Sequence, residues 1–274
     1  MSHTGTVSTV LAGKGFTAPG PVDFFLPDFT GKHWNEHGYS VLVTKASVLL
    51  LFGAVLAYLL LSLAARRGAV VPTRGQYLGE QAYNFVRNGI AQENIGAQYM
   101  RYVPLLVSLF FFVLINNLFG IVPILSFAPF SRFSFAVGLA IMVWIIYNVV
   151  GIADKGLFGY LKHATVPKGV PFVMLFLLVP LEFLSTILVR PVTLSLRLFA
   201  NMFAGHLLLI LFSTGGVYLM LTAQGSPVLK PAGALAFLLG IGVGFLEVIV
   251  AILQAYVFTL LTAQYISGAL ASDH

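Results

Sequence analysis

From about Ala46 onward the chain reads as long apolar runs separated by short polar clusters. A run of about 20 apolar residues wound as a helix crosses the ~30 Å hydrocarbon layer of a bilayer. The first such run covers residues 46–65 and stops at Arg66-Arg67. Residues 76–93 are mixed, with Tyr77, Phe85, Val86 and Ile90 at roughly helical spacing, and predict a short amphipathic helix on the cytoplasmic surface. Further spans are predicted over residues 102–123 and 133–152. Basic residues cluster at Arg66-Arg67 and again at Lys155, Lys162 and Lys168, beside His163, whereas Arg132 stands alone in its turn. Lysine and arginine accumulate on the cytoplasmic side, so these clusters predict an N-terminus outside and a C-terminus in the cytoplasm. Residues 1–40 are polar, show no signal-peptide pattern, and read as an extracytoplasmic N-terminal segment. Residues 41–274 read as a single integral-membrane domain.

The last hundred residues follow a different rhythm. Residues 170–213 run without a strong turn signal although Pro180 and Pro191 interrupt them, and residues 231–271 form a second run of that kind. Forty helical residues at 1.5 Å each reach about 60 Å, twice the hydrocarbon thickness. Each run is either a hairpin of two spans or one long, strongly tilted helix. No Gly or Pro pair resembles a re-entry loop, which favours two tilted helices joined by a turn over residues 214–227. Tilt of that size needs a partner to support it. The expected fold class is an all-α polytopic membrane protein with about five membrane-embedded helices and one short amphipathic helix.

Composition narrows the chemistry. The chain is 58% hydrophobic and 9% charged, against roughly 25% charged in soluble domains. Runs this long do not alternate polar and apolar as the strands of a membrane β-barrel do. With no cysteine there is no disulfide framework and no thiolate chemistry. The net charge of +6 lies mostly between the spans and calls for no nucleic-acid partner. No nucleophile constellation, phosphate loop, metal site or cofactor motif emerges, so the chain is expected not to be an enzyme by itself.

Against that background the polar residues inside the long runs stand out: Glu182, Arg190, Arg197, Asn201 and His206, then Glu247 and Gln254. Arginine stays charged at any physiological pH, and placing it mid-membrane costs roughly 3 to 17 kcal/mol. In an antiparallel pair, residues at equal depth have a nearly constant sum of numbers. By that rule Arg197 matches Gln254, and His206 matches Glu247. Arg190 and Arg197 share a face, as do Glu247 and Gln254, whereas Arg197 and His206 point to opposite sides of an ideal helix. The expectation is therefore that His206 faces Glu247 in a cleft while Arg197 faces a separate partner, with Gln254 approaching it from the side. A histidine and a carboxylate can pass a proton; a permanent guanidinium cannot, and it repels one. Arg190 is expected to snorkel toward the headgroups. Glu182, near the same boundary, is expected to pair with a basic loop residue, with a cytoplasmic exit path as the weaker alternative. Asn116 and Asn117 read as interhelical hydrogen-bond glue, and Gly240, Gly242 and Gly244 as a packing face.

The run from Pro191 to His206, PVTLSLRLFANMFAGH, closely resembles the signature of subunit a of F-type ATP synthases. Glu247 with Gln254-Ala255-Tyr256-Val257-Phe258, and Asn117-Leu118-Phe119-Gly120-Ile121-Val122-Pro123, resemble two further motifs of the bacterial type. The resemblance covers roughly Met100 to the C-terminus. It implies a stator subunit in a bacterial plasma membrane, with two tilted helices against a rotating ring of c subunits. It also implies a b-type peripheral stalk, a catalytic head reached through the stalks, and a single copy in a hetero-oligomer. Protons would enter one aqueous half-channel, load a ring carboxylate and leave by a second. Arg197 would face the ring, His206 and Glu247 would line the outer half-channel, and Gln254 and Asn201 would lie in the same translocation region. In several bacterial members the acid and the histidine stand the other way round. Some also carry an aspartate where this chain has Gly120. The competing reading, a self-contained secondary transporter, would predict related halves with broken helices. No internal repeat is visible, and the polar residues crowd into the last third.

Overall fold

The computed structural model describes residues 44–65, 74–122, 127–165, 172–222 and 229–271, together with Pro19, Gly20 and Leu125. The N-terminal segment apart from Pro19 and Gly20, the Arg66-Arg67 pair and Lys168 lie outside the described residues. The architecture is helical: α1 (Lys45–Ala65), α2 (Arg74–Asn84), α3 (Tyr99–Leu118), α4 (Phe133–Thr165), α5 (Phe172–Leu184), α6 (Arg190–Thr222) and α7 (Leu229–Leu270). π-Helical turns join α2 onward (Phe85–Gln92) and α5 to α6 (Ser185–Val189). Among the described residues five stretches are long and apolar enough to cross a membrane, so the protein is an all-α polytopic membrane protein. Helical backbone pairing satisfies most N–H and C=O groups in these spans, as hydrocarbon requires. Two buried hydroxyls are met the same way: Thr259 and Thr262 donate to the carbonyls of Ala255 and Phe258 at 2.8 Å.

Both long runs are single helical stretches. The one through α5, its π turn and α6 contributes a 48-residue span, Met174–Leu221, and α7 a 42-residue span. Helix α6 continues to Thr222, beyond the break expected after Ser213. Gly215-Gly216 signals a turn by sequence, but Gly216 serves close packing. A Cβ there would lie 2.7 Å from the Phe237 nitrogen and 3.0 Å from the Gly233 carbonyl oxygen. Helix α4 likewise outlasts its expected end and bends at Gly156, whose φ of 74° suits glycine. The region 76–93 is helical, with Val86 and Ile90 fully buried and Tyr77 and Phe85 exposed.

The chain forms two compact units. The first combines the residues up to Leu56 with Leu114–Arg132 and Phe199–Leu253. Its first helix starts at a reciprocal cap: the Thr44 N–H donates to Ser47 Oγ at 2.9 Å, and the Ser47 N–H to Thr44 Oγ1 at 3.3 Å. Arg132 Nη1 donates to the same Thr44 hydroxyl at 3.2 Å. The second unit combines Ala57–Val113, Phe133–Leu198 and the chain from Gln254. There Phe85 packs against Phe110 and Tyr256, at 6.1 and 5.7 Å between ring centroids.

Candidate functional site

In the first unit, α6 and α7 run antiparallel and touch along small residues. A Cβ on Gly233 would lie 2.8 Å from the Met220 nitrogen and 2.9 Å from the Gly216 oxygen; one on Gly240 would sit 3.4 Å from the Ser213 nitrogen. Further along, Gly205 opens room for the Glu247 carboxylate, whose Oε1 would be 3.0 Å from a Cβ there. His206, adjacent to Gly205, and Glu247 are both buried, 2% and 5% exposed. The depth rule that matches His206 to Glu247 thus agrees with the register of these contacts. The His206 ring meets Phe127 edge-on at 6.4 Å between centroids. One carboxylate oxygen of Glu247, Oε2, has no hydrogen-bond partner among the described residues. A buried carboxylate oxygen in that state is a place for a bridging water. Asn116 and Asn117 are buried too. Asn116 fills the space that a side chain at Gly53 would need, 2.5 Å from a Cβ there. The Asn117 amide makes no hydrogen bond among the described residues, so the expected interhelical glue is not what holds it.

In the second unit, Gln254 is buried and Arg197 is exposed. Thr193 and Leu196, beside Arg197 on α6, are exposed as well; Leu194, Ser195 and Leu198 turn inward. Asn201, a turn further along the helix and part of the first unit, is also exposed. Glu182 and Arg190 line one cavity of about 210 Å³ with Tyr160, Ala164, Thr186, Gly268 and Ala269. The Arg190 guanidinium lies over the Tyr265 ring at 5.3 Å, and Tyr265 packs on Tyr147 at 5.4 Å. The bend at Gly156 brings the Tyr160 hydroxyl back to Asn148 Oδ1 at 3.0 Å, close above Gly151. The Tyr147 hydroxyl donates to the Thr186 carbonyl oxygen at 2.9 Å.

Sequence reasoning passed over these three tyrosines and Thr186, because a tyrosine in a membrane helix is ordinary. The available signal was Pro191, whose missing N–H leaves a carbonyl upstream in need of another donor. Among the described residues no three His, Cys, Asp or Glu side chains group as metal ligands.

A buried histidine and a buried acid, with an exposed arginine on the same long helix as the histidine, mark a polytopic membrane protein that carries charge within its spans. A family profile described as ATP synthase A chain matches residues 46–267. The chain is similar to ATP synthase subunit a of a Nocardioides species, 49% identical over the full length of both. It is also similar to the subunit a of Pseudarthrobacter chlorophenolicus, 44% identical over 94% of each chain, and to that of Streptomyces lividans, 36% identical over 97% and 92%. The chain belongs to the ATP synthase A chain family, and is a membrane-embedded subunit of an ATP synthase.

Proposed function

We propose that this chain is the proton-conducting stator of the ATP synthase membrane sector, with two offset half-channels that load and unload carboxylates on a rotating c-ring. The observation that supports the reading is the exposure of Arg197 on the long helix α6. Val192, Thr193, Leu196 and Asn201 are exposed beside it on the same helix. A permanent charge on such a face is strongly disfavoured against lipid and well placed against a partner that offers a carboxylate. The neighbouring exposed apolar residues, Val192 and Leu196, suit a helical ring sliding past. Helices of this length also need external support to hold a tilt.

In this reading His206 and Glu247 conduct protons from outside, because both can bind and release one. Arg197 favours the ionised form of the ring carboxylate and repels a proton passing directly between the half-channels. Buried Gln254 and exposed Asn201 are further residues of proton translocation. The cavity of Glu182 and Arg190 opens the cytoplasmic side. The N-terminus is outside and the C-terminus in the cytoplasm of a bacterial plasma membrane. A b-type stalk subunit links the chain to a catalytic head that carries the ATP chemistry. Replacing Arg197 with Ala, in vesicles holding the whole complex, is expected to abolish ATP-driven proton pumping. Normal coupled pumping by an assembled Arg197→Ala complex would overturn the proposal.

A further inference from the structure

The junction between α5 and α6 contains an unusual piece of hydrogen-bond accounting. In an α-helix the Thr186 carbonyl would accept from the Arg190 N–H. Here the Arg190 N–H goes instead to the Ser185 carbonyl, the i→i+5 pattern of a π turn. Shifted by one, the next donor for Thr186 would be residue 191, and residue 191 is a proline with no N–H. The orphaned carbonyl is buried in the membrane region, where water is scarce and an unmet acceptor is disfavoured. The Tyr147 hydroxyl meets it at 2.9 Å from another helix.

The π turn has a geometric consequence. Eight residues along an α-helix leave two side chains about 80° apart; absorbing one extra residue in a π turn brings them within about 20°. Glu182 and Arg190 are eight apart across that turn, and both line the same 210 Å³ cavity. Thr186, midway between them, also lines it, and its own hydroxyl has no hydrogen-bond partner among the described residues. Such a polar cavity has room for a small cluster of waters.

We infer that Tyr147 is a positioning residue, whose hydroxyl replaces the N–H that Pro191 lacks and so holds the π turn that sets Glu182 and Arg190 on one side of a water-accessible vestibule. The functional importance of that vestibule rests on the proton-conducting reading above; its geometry does not.

The chain has no cysteine, so single cysteines can report the helix phase directly. In complete ATP synthase in inverted membrane vesicles, the subunit is labelled with a charged, water-soluble thiol reagent in Glu182→Cys and, separately, in Phe183→Cys. With Tyr147 present, Cys at 182 reacts faster than Cys at 183, because Glu182 faces the cavity and Phe183 is exposed on an apolar helix face. Tyr147→Phe removes one hydrogen bond, worth about 1 kcal/mol, and lets the turn relax toward α geometry. Position 183, seven residues before Arg190, then turns to the cavity. The 182-to-183 rate ratio is expected to fall about fivefold. ATP-driven pumping by Tyr147→Phe alone is expected to drop with it. A ratio unchanged by Tyr147→Phe would overturn the inference, and so would both rates rising together, the mark of loosened packing. Normal pumping by Arg197→Ala would remove the proton-conducting reading while leaving the labelling ratio to decide the role of Tyr147.

Discussion

An exposed guanidinium and a pair of buried ionisable side chains pose opposite electrostatic problems within one sequence. Arg197 keeps its charge and is exposed; His206 and Glu247 can change theirs and are enclosed. If the proton path needs one acid and one imidazole at this depth, their order matters less than their joint presence. Exchanging them, as His206→Glu with Glu247→His, is expected to keep more ATP-driven pumping than either single substitution. Each single change is expected to lower pumping about tenfold or more. A double variant no better than the worse single would refute the pairing. These residues were legible in sequence because charge is scarce here: against 9% charged residues, a histidine or carboxylate inside an apolar run draws attention. Tyr147 was not legible. Its function lies in which carbonyl its hydroxyl reaches, and that depends on a neighbouring helix and on a one-residue shift of backbone pairing.

At the scale of elements, the length of the long helices could be read from uninterrupted hydrophobicity, but their glycines could not be sorted. Gly215-Gly216 looked like a turn because glycine disfavours helices, yet membrane helices use small residues to bring backbones together. Gly233 is part of that contact, and the atoms a Cβ would strike, Met220 N and Gly216 O, are backbone atoms that cannot rotate aside. Gly233→Val is therefore expected to destabilise the subunit by about 1–3 kcal/mol, read as a lower thermal midpoint of the assembled complex. Gly138→Val, where nothing lies within 4 Å of the added Cβ, is expected to leave that midpoint unchanged. Equal effects at the two positions would refute the close-contact argument. Pro191 is the counterpart case: it reads as a breaker, and the helix survives it by adopting a π turn with a borrowed donor.

For the whole molecule, the question is what faces the unburied sides of its longest helices. The proposed stator requires a ring of small helical subunits there, so the chain is expected to co-purify from mild detergent with a two-helix, ring-forming membrane protein. Arg197→Ala is expected to leave that association measurable while pumping is lost. Reconstituted by itself, the chain is expected to catalyse no substrate uptake; robust uptake would favour a self-contained transporter. The sequence by itself determined the fold class, the five spans, the family and the rare intramembrane charges, because each is a property of local composition and order. Tertiary structure decided which of those charges are enclosed and which are presented, and which glycines pack. It also decided how Glu182 and Arg190 come to share a cavity. Those outcomes depend on contacts between helices and on a shift in backbone pairing that no single stretch of sequence specifies.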